Sequence, residues 1–317
     1  MRFLKWMTIL SVTGGSVLLV LGWLTGQPFW PRSEPPFPVL QAANWTLSEP
    51  RLAAGFGYLE GLVVEPNRND RVKAWVAQEL RGIGWQVDVL VHQMDEEVSG
   101  HSFWARQSGA ATAGKGPFDR VILMAALDPP PDALRPLPAA AQHAVPLVLL
   151  LELARVWSET RNRWAGLEMV FLDRTHHISD TDQRLEGARV ALQHLGPLKA
   201  NSMTILLGAL VSQDVLQIPE QSDPELLEVF HFLPKGSRLG WPIEPAVRLT
   251  WGNHLVLGTS NTRLFALHNE EWVGLLTQDD DFDGIDVFKI KRLGEALAEF
   301  MDWAVFGPFQ AEPPFDL

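Results

Sequence analysis

The stretch Ala144–Val156, AVPLVLLLELARV, decides the fold because it is apolar on every helical face. A helix at the surface carries polar residues along one side, so this pattern predicts a helix over Ala144–Trp157 that is buried inside the protein. Short apolar runs typical of buried strands lie on either side of it, at Arg120–Ala125 and Leu167–Leu172. A buried helix between two buried strands is typical of an α/β domain.

The remaining periodic segments extend this alternation along the chain. Helical periods occur in three further segments, which are Arg68–Ile83, Asp182–Leu195 and Val287–Val305. Strand patterns occur in four, which are Trp85–Val91, His101–Arg106, Met203–Leu207 and Leu264–His268. Pro219–Arg248 is the stretch whose pattern is least readable. Helices that alternate with buried strands predict a mixed, mostly parallel central sheet flanked by helices on both faces.

Composition excludes several classes of protein. Hydrophobic residues make up 46% of the chain and charged residues 20%, which argues against wholesale disorder. The formal net charge is −12 and no Lys/Arg-rich block occurs, so we expect no nucleic-acid partner. The chain contains no cysteine, which excludes disulfides and thiolate metal sites.

The N-terminal segment has no charged residue from Trp6 to Pro31. Its apolar core, Met7–Gly26, would be about 30 Å long as a helix, which is enough to cross a hydrocarbon layer. We therefore predict a transmembrane helix over residues 6–27. The alternative is a cleaved signal peptide, but its apolar region would be shorter, and Gly22–Gln27 offers no small-x-small cleavage site.

Arg2 and Lys5 precede the predicted helix, so the positive-inside rule places a tail of residues 1–5 in the cytoplasm. The prediction is a single-pass membrane protein with an extracytoplasmic domain, periplasmic or lumenal. A Pro-rich linker is predicted over 28–47 and the domain over 48–317.

A patch of small residues inside the predicted helix would let a second helix approach closely. It consists of Ser11, Gly14, Gly15 and Ser16. The interpretation is contact with a membrane protein complex through this patch and the domain surface. The alternative is that Gly and Ser are simply common in membrane helices.

Six ordered blocks of the domain together resemble glutaminyl cyclases and, more broadly, the zinc-dependent M28 aminopeptidase superfamily. The resemblance covers Arg68–Trp303 and implies that superfamily's fold. Its blocks are LELAR in the buried helix, Val121–Asp128 (VILMAALD), Glu168–Asp173 (EMVFLD), Leu185–Leu192 (LEGARVAL), His254–Leu267 and Leu276–Asp280.

The resemblance also implies where zinc ligands and the general base would lie. Zinc sites of this kind use imidazole and carboxylate donors and keep one position open. The aligned positions in this chain are Ala126, Gln142, Thr175, His176, Gly208, Asn253 and Leu276. Thr175 stands where the family has its catalytic Glu, and Leu276 where it has its last ligand His. Among these positions only His176 still carries a good metal donor.

These replacements lead to the prediction of a catalytically inactive, membrane-anchored glutaminyl cyclase-like protein without a cofactor, acting as a structural or accessory subunit. The alternative is a zinc-dependent glutaminyl-peptide cyclotransferase or aminopeptidase with a displaced metal site. Its candidate ligands are His143, His176 and His177, which would otherwise be solvated or hydrogen-bonded histidines. A third possibility is a cleft that binds peptide N-termini without turnover. Glu152 and Arg155, in the buried helix, are interpreted as supporting packing or forming a buried ion pair, not as catalytic residues.

Overall fold

The computed structural model describes most of one compact unit, which runs from residue 42 to residue 307. The described residues are 45–65, 67–93, 99–107, 116–127, 140–159, 167–173, 181–196, 201–210, 216–239, 242–247, 257, 260, 262–267 and 281–307. The predicted membrane helix at 6–27 lies outside these ranges. Within them, no helix has the length and apolar character that a bilayer crossing requires.

Helices and strands alternate along the described chain. The helices are α1 (Glu49–Gly61), α2 (Arg68–Gly82), α3 (Val145–Glu159), α4 (Thr181–Leu195), α5 (Pro224–Phe232) and α6 (Val287–Phe306). The strands are β1 (Trp85–Gln93), β2 (Ser99–Gln107), β3 (Arg120–Ala126), β4 (Leu167–Leu172), β5 (Ser202–Leu207), β6 (Leu216–Pro219), β7 (Ile243–Val247) and β8 (Arg263–Leu267). A π-helical turn, Ala140–Ala144, leads into α3, and a 3₁₀ turn, Gly236–Arg238, follows α5.

Six of these strands form the central sheet in the order β1-β2-β4-β3-β5-β8. Strands β4, β3, β5 and β8 are parallel, whereas β2 is antiparallel to both of its neighbours, β1 and β4. Ala126 at the end of β3 lies opposite Leu172 at the end of β4, and Ala125 lies opposite Leu207 of β5. The carboxyl ends of the parallel strands therefore meet at one edge. This confirms the predicted mixed, mostly parallel sheet; β6 and β7 form a separate parallel pair.

Helices cover both faces of this sheet, as predicted. Ile122 and Met124 of β3 pack in one cluster with Ala188 and Ala191 of α4. The alternate β3 side chains point to the opposite face, where α3 and α6 contact the strand. In α3 every residue from Val145 to Ser158 is buried except Arg155, so the prediction of an interior helix is confirmed.

The packed domain includes two residues that the sequence placed at the end of the linker. Trp45 is stacked on Trp157 of α3, with ring centroids 5.4 Å apart. Leu47 is buried as well and lies beside Gly294 of α6, where a Cβ atom would collide with the Leu47 side chain. The chain therefore enters the core three residues before the predicted boundary at 48.

Candidate functional site at the carboxyl ends of the parallel strands

The sheet determines where a ligand site would lie. In open α/β sheets, ligands bind outside the carboxyl ends of the parallel strands. Ala126 is the last residue of β3, Asp173 follows β4 directly, and Gly208 follows β5 directly. Because β4, β3 and β5 are neighbours, these three positions lie side by side at that edge.

Two of the three positions have no side-chain donor. Ala126 is 9% exposed and ends in a methyl group, and Gly208 has no side chain. Backbone hydrogen bonds join neighbouring segments at these positions instead. Leu127 N donates to Leu172 O at 2.7 Å, and Gly208 N donates to Leu267 O at 2.8 Å. Neither residue can bind a metal ion through its side chain.

His143 lies in the π-helical turn before α3, next to Gln142. Its side chain is fully buried, and Nε2 is 3.0 Å from the carbonyl oxygen of Leu127, just beyond the end of β3. This contact orients the imidazole ring toward the backbone of β3. The candidates Thr175, His176, His177, Asn253 and Leu276 lie outside the described residues.

The described residues do not fit a zinc ion. Within the ranges given above, no group of three or more His, Asp or Glu side chains is arranged to hold a metal. The strand-end positions that the family resemblance assigns to ligands are a methyl group and a glycine at β3 and β5.

Asp173 is the polar centre of this edge, and sequence reasoning did not single it out. Its side chain is fully buried, and Oδ2 accepts hydrogen bonds from Lys73 Nζ and from the backbone N of His101, each at 2.6 Å. Ser102 Oγ in turn accepts from the backbone N of Asp173 at 3.0 Å. The network joins α2, β2 and the end of β4. Because Lys73 and Asp173 are 100 residues apart, no local pattern indicates the pair.

Solved structures of other proteins share this architecture. That of Porphyromonas gingivalis glutaminyl cyclase matches with a TM-score of 0.67 and 17% identity, covering 81% of this chain and 98% of that one. A Zn-dependent exopeptidase from Parabacteroides distasonis matches with a TM-score of 0.62 and 17% identity, over 80% and 97% of the two chains. A leucine aminopeptidase precursor from Bacteroides thetaiotaomicron matches with a TM-score of 0.64 and 14% identity, over 86% and 100%.

The chain has the glutaminyl cyclase and M28 aminopeptidase fold. The superfamily fold expected from the six sequence blocks is thereby confirmed. No protein-family model matches the sequence, and no curated protein matches it in a sequence search.

Within this glutaminyl cyclase fold, a buried histidine lies close to Asp173. His92 of β1 is 3% exposed, and burial lowers its pKa, although the Asp173 charge opposes this effect. Its ring packs against Gly100 so closely that a Cβ atom there would collide with it. Gly187 of α4 approaches the same place, since a Cβ atom on it would lie 2.8 Å from the carbonyl oxygen of Asp173. Both glycines thus permit the close packing around the end of β4.

The predicted ion pair in the buried helix is confirmed. Arg155 donates to both carboxylate oxygens of Glu152, at 2.6 and 2.8 Å, and this hydrogen bonding raises the pKa of Arg155. Glu152 Oε1 also accepts from the backbone N of Ser48 at 2.8 Å. The pair therefore fastens the segment before α1 to the interior helix, which is a structural role.

Proposed function

We propose that this chain is a catalytically inactive, membrane-anchored protein with the glutaminyl cyclase fold, acting as a structural or accessory subunit of a membrane protein complex. One observation carries the proposal: the ends of β3 and β5, where the family resemblance assigns metal-site residues, hold Ala126 and Gly208. A methyl group and a hydrogen atom have no lone pairs for a cation.

The described scaffold around these positions is nevertheless well packed. Helix α3 is buried, the strands β4, β3, β5 and β8 are parallel, and α4 approaches the end of β4 closely at Gly187. The edge itself is organised by the Lys73–Asp173 pair at 2.6 Å. A domain that keeps its packing but carries no donors at these two strand ends suits a binding or structural role better than catalysis.

The membrane part of the proposal rests on the sequence of residues 1–27. A 26-residue uncharged run is preceded by Arg2 and Lys5, and the run contains the small-residue patch that suits close helix packing. We infer that the patch, Ser11–Ser16, contacts a helix of the partner complex while the domain contacts it outside the cytoplasm.

Purification of the full chain from its own membranes in mild detergent tests the accessory role. We expect a stable companion protein that is reduced by Gly15→Leu, because leucine would block close helix approach. Gly22→Leu, outside the patch, is the matched control and should retain the companion. A chain that purifies without any companion, or an effect of Gly22→Leu equal to that of Gly15→Leu, contradicts the proposal.

One observation favours the alternative of a zinc enzyme with a displaced site. A zinc-bound histidine commonly has its second ring nitrogen held by a backbone carbonyl, and His143 Nε2 lies 3.0 Å from Leu127 O. The structural relatives include a glutaminyl cyclase and a Zn-dependent exopeptidase, and these names indicate the reactions to assay. We expect no turnover of N-terminal glutaminyl peptides or aminoacyl substrates by the full chain. Turnover that is lost in His176→Ala would establish the alternative.

A further inference from the structure

Strand β1 forms one edge of the central sheet, and none of the described strands pairs with its outer side. It pairs with β2 over all nine of its residues without a register shift. Among the residues that the structure describes, no backbone hydrogen bond from another segment reaches the outer side of β1. Such a row of N–H and C=O groups is a template for pairing with another strand.

The opposite edge of the sheet is closed. Strand β8 has only five residues, and the segment before α5 covers its outer side. Asp223 N donates to Leu264 O at 2.7 Å, and Ala266 N donates to Ser222 Oγ at 3.1 Å. The outer side of β8 is therefore covered by another segment, whereas the outer side of β1 has no backbone hydrogen bonds with other described segments.

The usual protections of an exposed edge are missing from β1. The strand contains no Lys, no Pro and no bulge. Its one acidic residue, Asp88, is paired with Arg106 of β2 at 2.8 Å. Val89 and Val91 are 50% and 61% exposed, although β-branched residues on a strand usually pack against neighbours. An edge of this kind indicates an interaction surface.

We infer that a second copy of this chain pairs antiparallel with β1 across a two-fold axis at Val89, joining the two sheets. The pattern from Val87 to Val91, VDVLV, has valine at both ends and at the centre. In this register Val89 of one copy lies opposite Val89 of the other. Val87 of each copy lies opposite Val91 of the other copy. All three valines share one side of the strand, so three β-branched cross-strand pairs form together.

Charge is compatible with this symmetric arrangement. Asp88 lies opposite Leu90 of the second copy, so no like charges face each other directly, and each Asp88 keeps its Arg106 partner. A two-fold axis uses the same surface on both copies, which is the commonest form of homodimer. An unrelated extended peptide would lack this internal symmetry. The inference does not depend on the proposed function, because it uses neither the strand ends nor the membrane helix.

Cysteine cross-linking tests the register directly, since the chain has no native cysteine. The full chain in mild detergent is used, with single substitutions on the open edge. Directly opposite Cβ atoms in an antiparallel pair are about 5 Å apart, close to disulfide distance. We expect covalent dimers from Val89→Cys under mild oxidation, and from a mixture of Val87→Cys with Val91→Cys. Val91→Cys alone should not cross-link, because the two Val91 positions of the dimer would lie about 13 Å apart along the strands.

Val64→Cys, at a position that is 80% exposed and outside the strand, is the control for random collision. The variant Val89→Lys should weaken dimer formation about tenfold, as measured by sedimentation, because two like charges would face each other. A chain that remains monomeric, including one that binds only a foreign peptide, overturns the inference. Equal cross-linking by Val64→Cys also overturns the inference. A dimer that is unaffected by Val89→Lys and forms no cross-link between Val87→Cys and Val91→Cys overturns it as well.

Discussion

The carboxylate of Asp173 has no exposed surface, and its charge is balanced by Lys73, whose side chain is only 13% exposed. Removing one member of a buried pair leaves the other charge uncompensated, which costs far more than losing an exposed pair. The Lys73–Asp173 pair therefore holds α2 to the end of β4 at the very edge where the family has its chemistry. The pair therefore contributes to the stability of the fold, and this contribution can be measured as a change in the free energy of unfolding.

We predict that Lys73→Met lowers the free energy of unfolding by about 3–5 kcal/mol, because Asp173 then remains buried without its cation. Arg71→Met is the matched control, since Arg71 pairs with Glu65 at the surface at 2.9 Å. That variant should change stability by less than about 1 kcal/mol. Urea unfolding of the full chain in mild detergent measures both. Equal effects of the two variants would contradict the assigned role of Asp173.

Asp302 of α6 gives a second prediction. Burial raises the pKa of its carboxyl from 3.8 to about 6, and the nearby Glu299 carboxyl adds to the shift. Because the folded pKa is above the unfolded one, this group's stabilisation is complete below pH 3.8 and is lost as the pH rises through about 6. A shift of two units corresponds to about 3 kcal/mol.

Asp302→Asn removes this titration, so it should be more stable than the native chain at pH 8, by up to about 3 kcal/mol. The advantage should shrink toward pH 4, where the native carboxyl is protonated in the folded state. Chemical unfolding at several pH values gives the difference. Asp283→Asn, at an exposed position, should follow the native profile. A difference between Asp302→Asn and the native chain that does not vary with pH refutes the prediction.

Among the secondary-structure elements, Gly57 of α1 and Gly187 of α4 differ sharply in the space around them. A Cβ atom on Gly187 of α4 would lie 2.8 Å from the carbonyl oxygen of Asp173, whereas one on Gly57 of α1 would meet nothing within 4 Å. Backbone cannot yield as a flexible side chain does, so α4 would have to move away from β4. The close approach of α4 is thus a requirement of the packing.

We predict opposite outcomes for the same substitution at these two glycines. Gly187→Ala should destabilise the fold by about 1–3 kcal/mol, through the clash with the end of β4. Gly57→Ala should stabilise it by about 0.5–1 kcal/mol, because alanine favours an exposed helix. Thermal or urea midpoints report both. A Gly187→Ala chain at least as stable as the native one would show that α4 does not need this contact.

Sequence reasoning found the elements whose signal is strong and local. Buried apolar runs such as Leu167–Leu172 were recognisable as strands, and α3 as an interior helix. Helix α1 was missed because its sequence, EPRLAAGFGYLEG, is rich in glycine, which weakens helix propensity. Ser48 nevertheless caps it, through Oγ and the backbone N of Arg51. The short elements within Pro219–Arg248 were missed because nine residues or fewer carry too little periodicity.

The candidate site was predictable in position but not in its contacts. The family resemblance assigned Ala126 and Gly208 to the ends of two strands; in the structure Ala126 is the last residue of β3 and Gly208 directly follows β5. The Lys73–Asp173 pair depends on how α2 lies on the sheet, which is a tertiary property. The same holds for the burial of His143 against Leu127 O.

The whole molecule combines the glutaminyl cyclase fold with a proposed loss of catalysis. The described part of this architecture is held by α3, by the parallel strands and by the Lys73–Asp173 pair, none of which requires a metal ion. The proposed role then depends on whether the full chain, including the residues around His176, can hold zinc at all.

The zinc content of the full chain, purified without chelators and equilibrated with a slight excess of zinc before dialysis, tests this most directly. We predict far less than one tightly bound zinc per chain, and no difference in zinc content between the native protein and His176→Ala. One zinc per chain that is lost on His176→Ala, with His231→Ala as the control, would contradict the central claim.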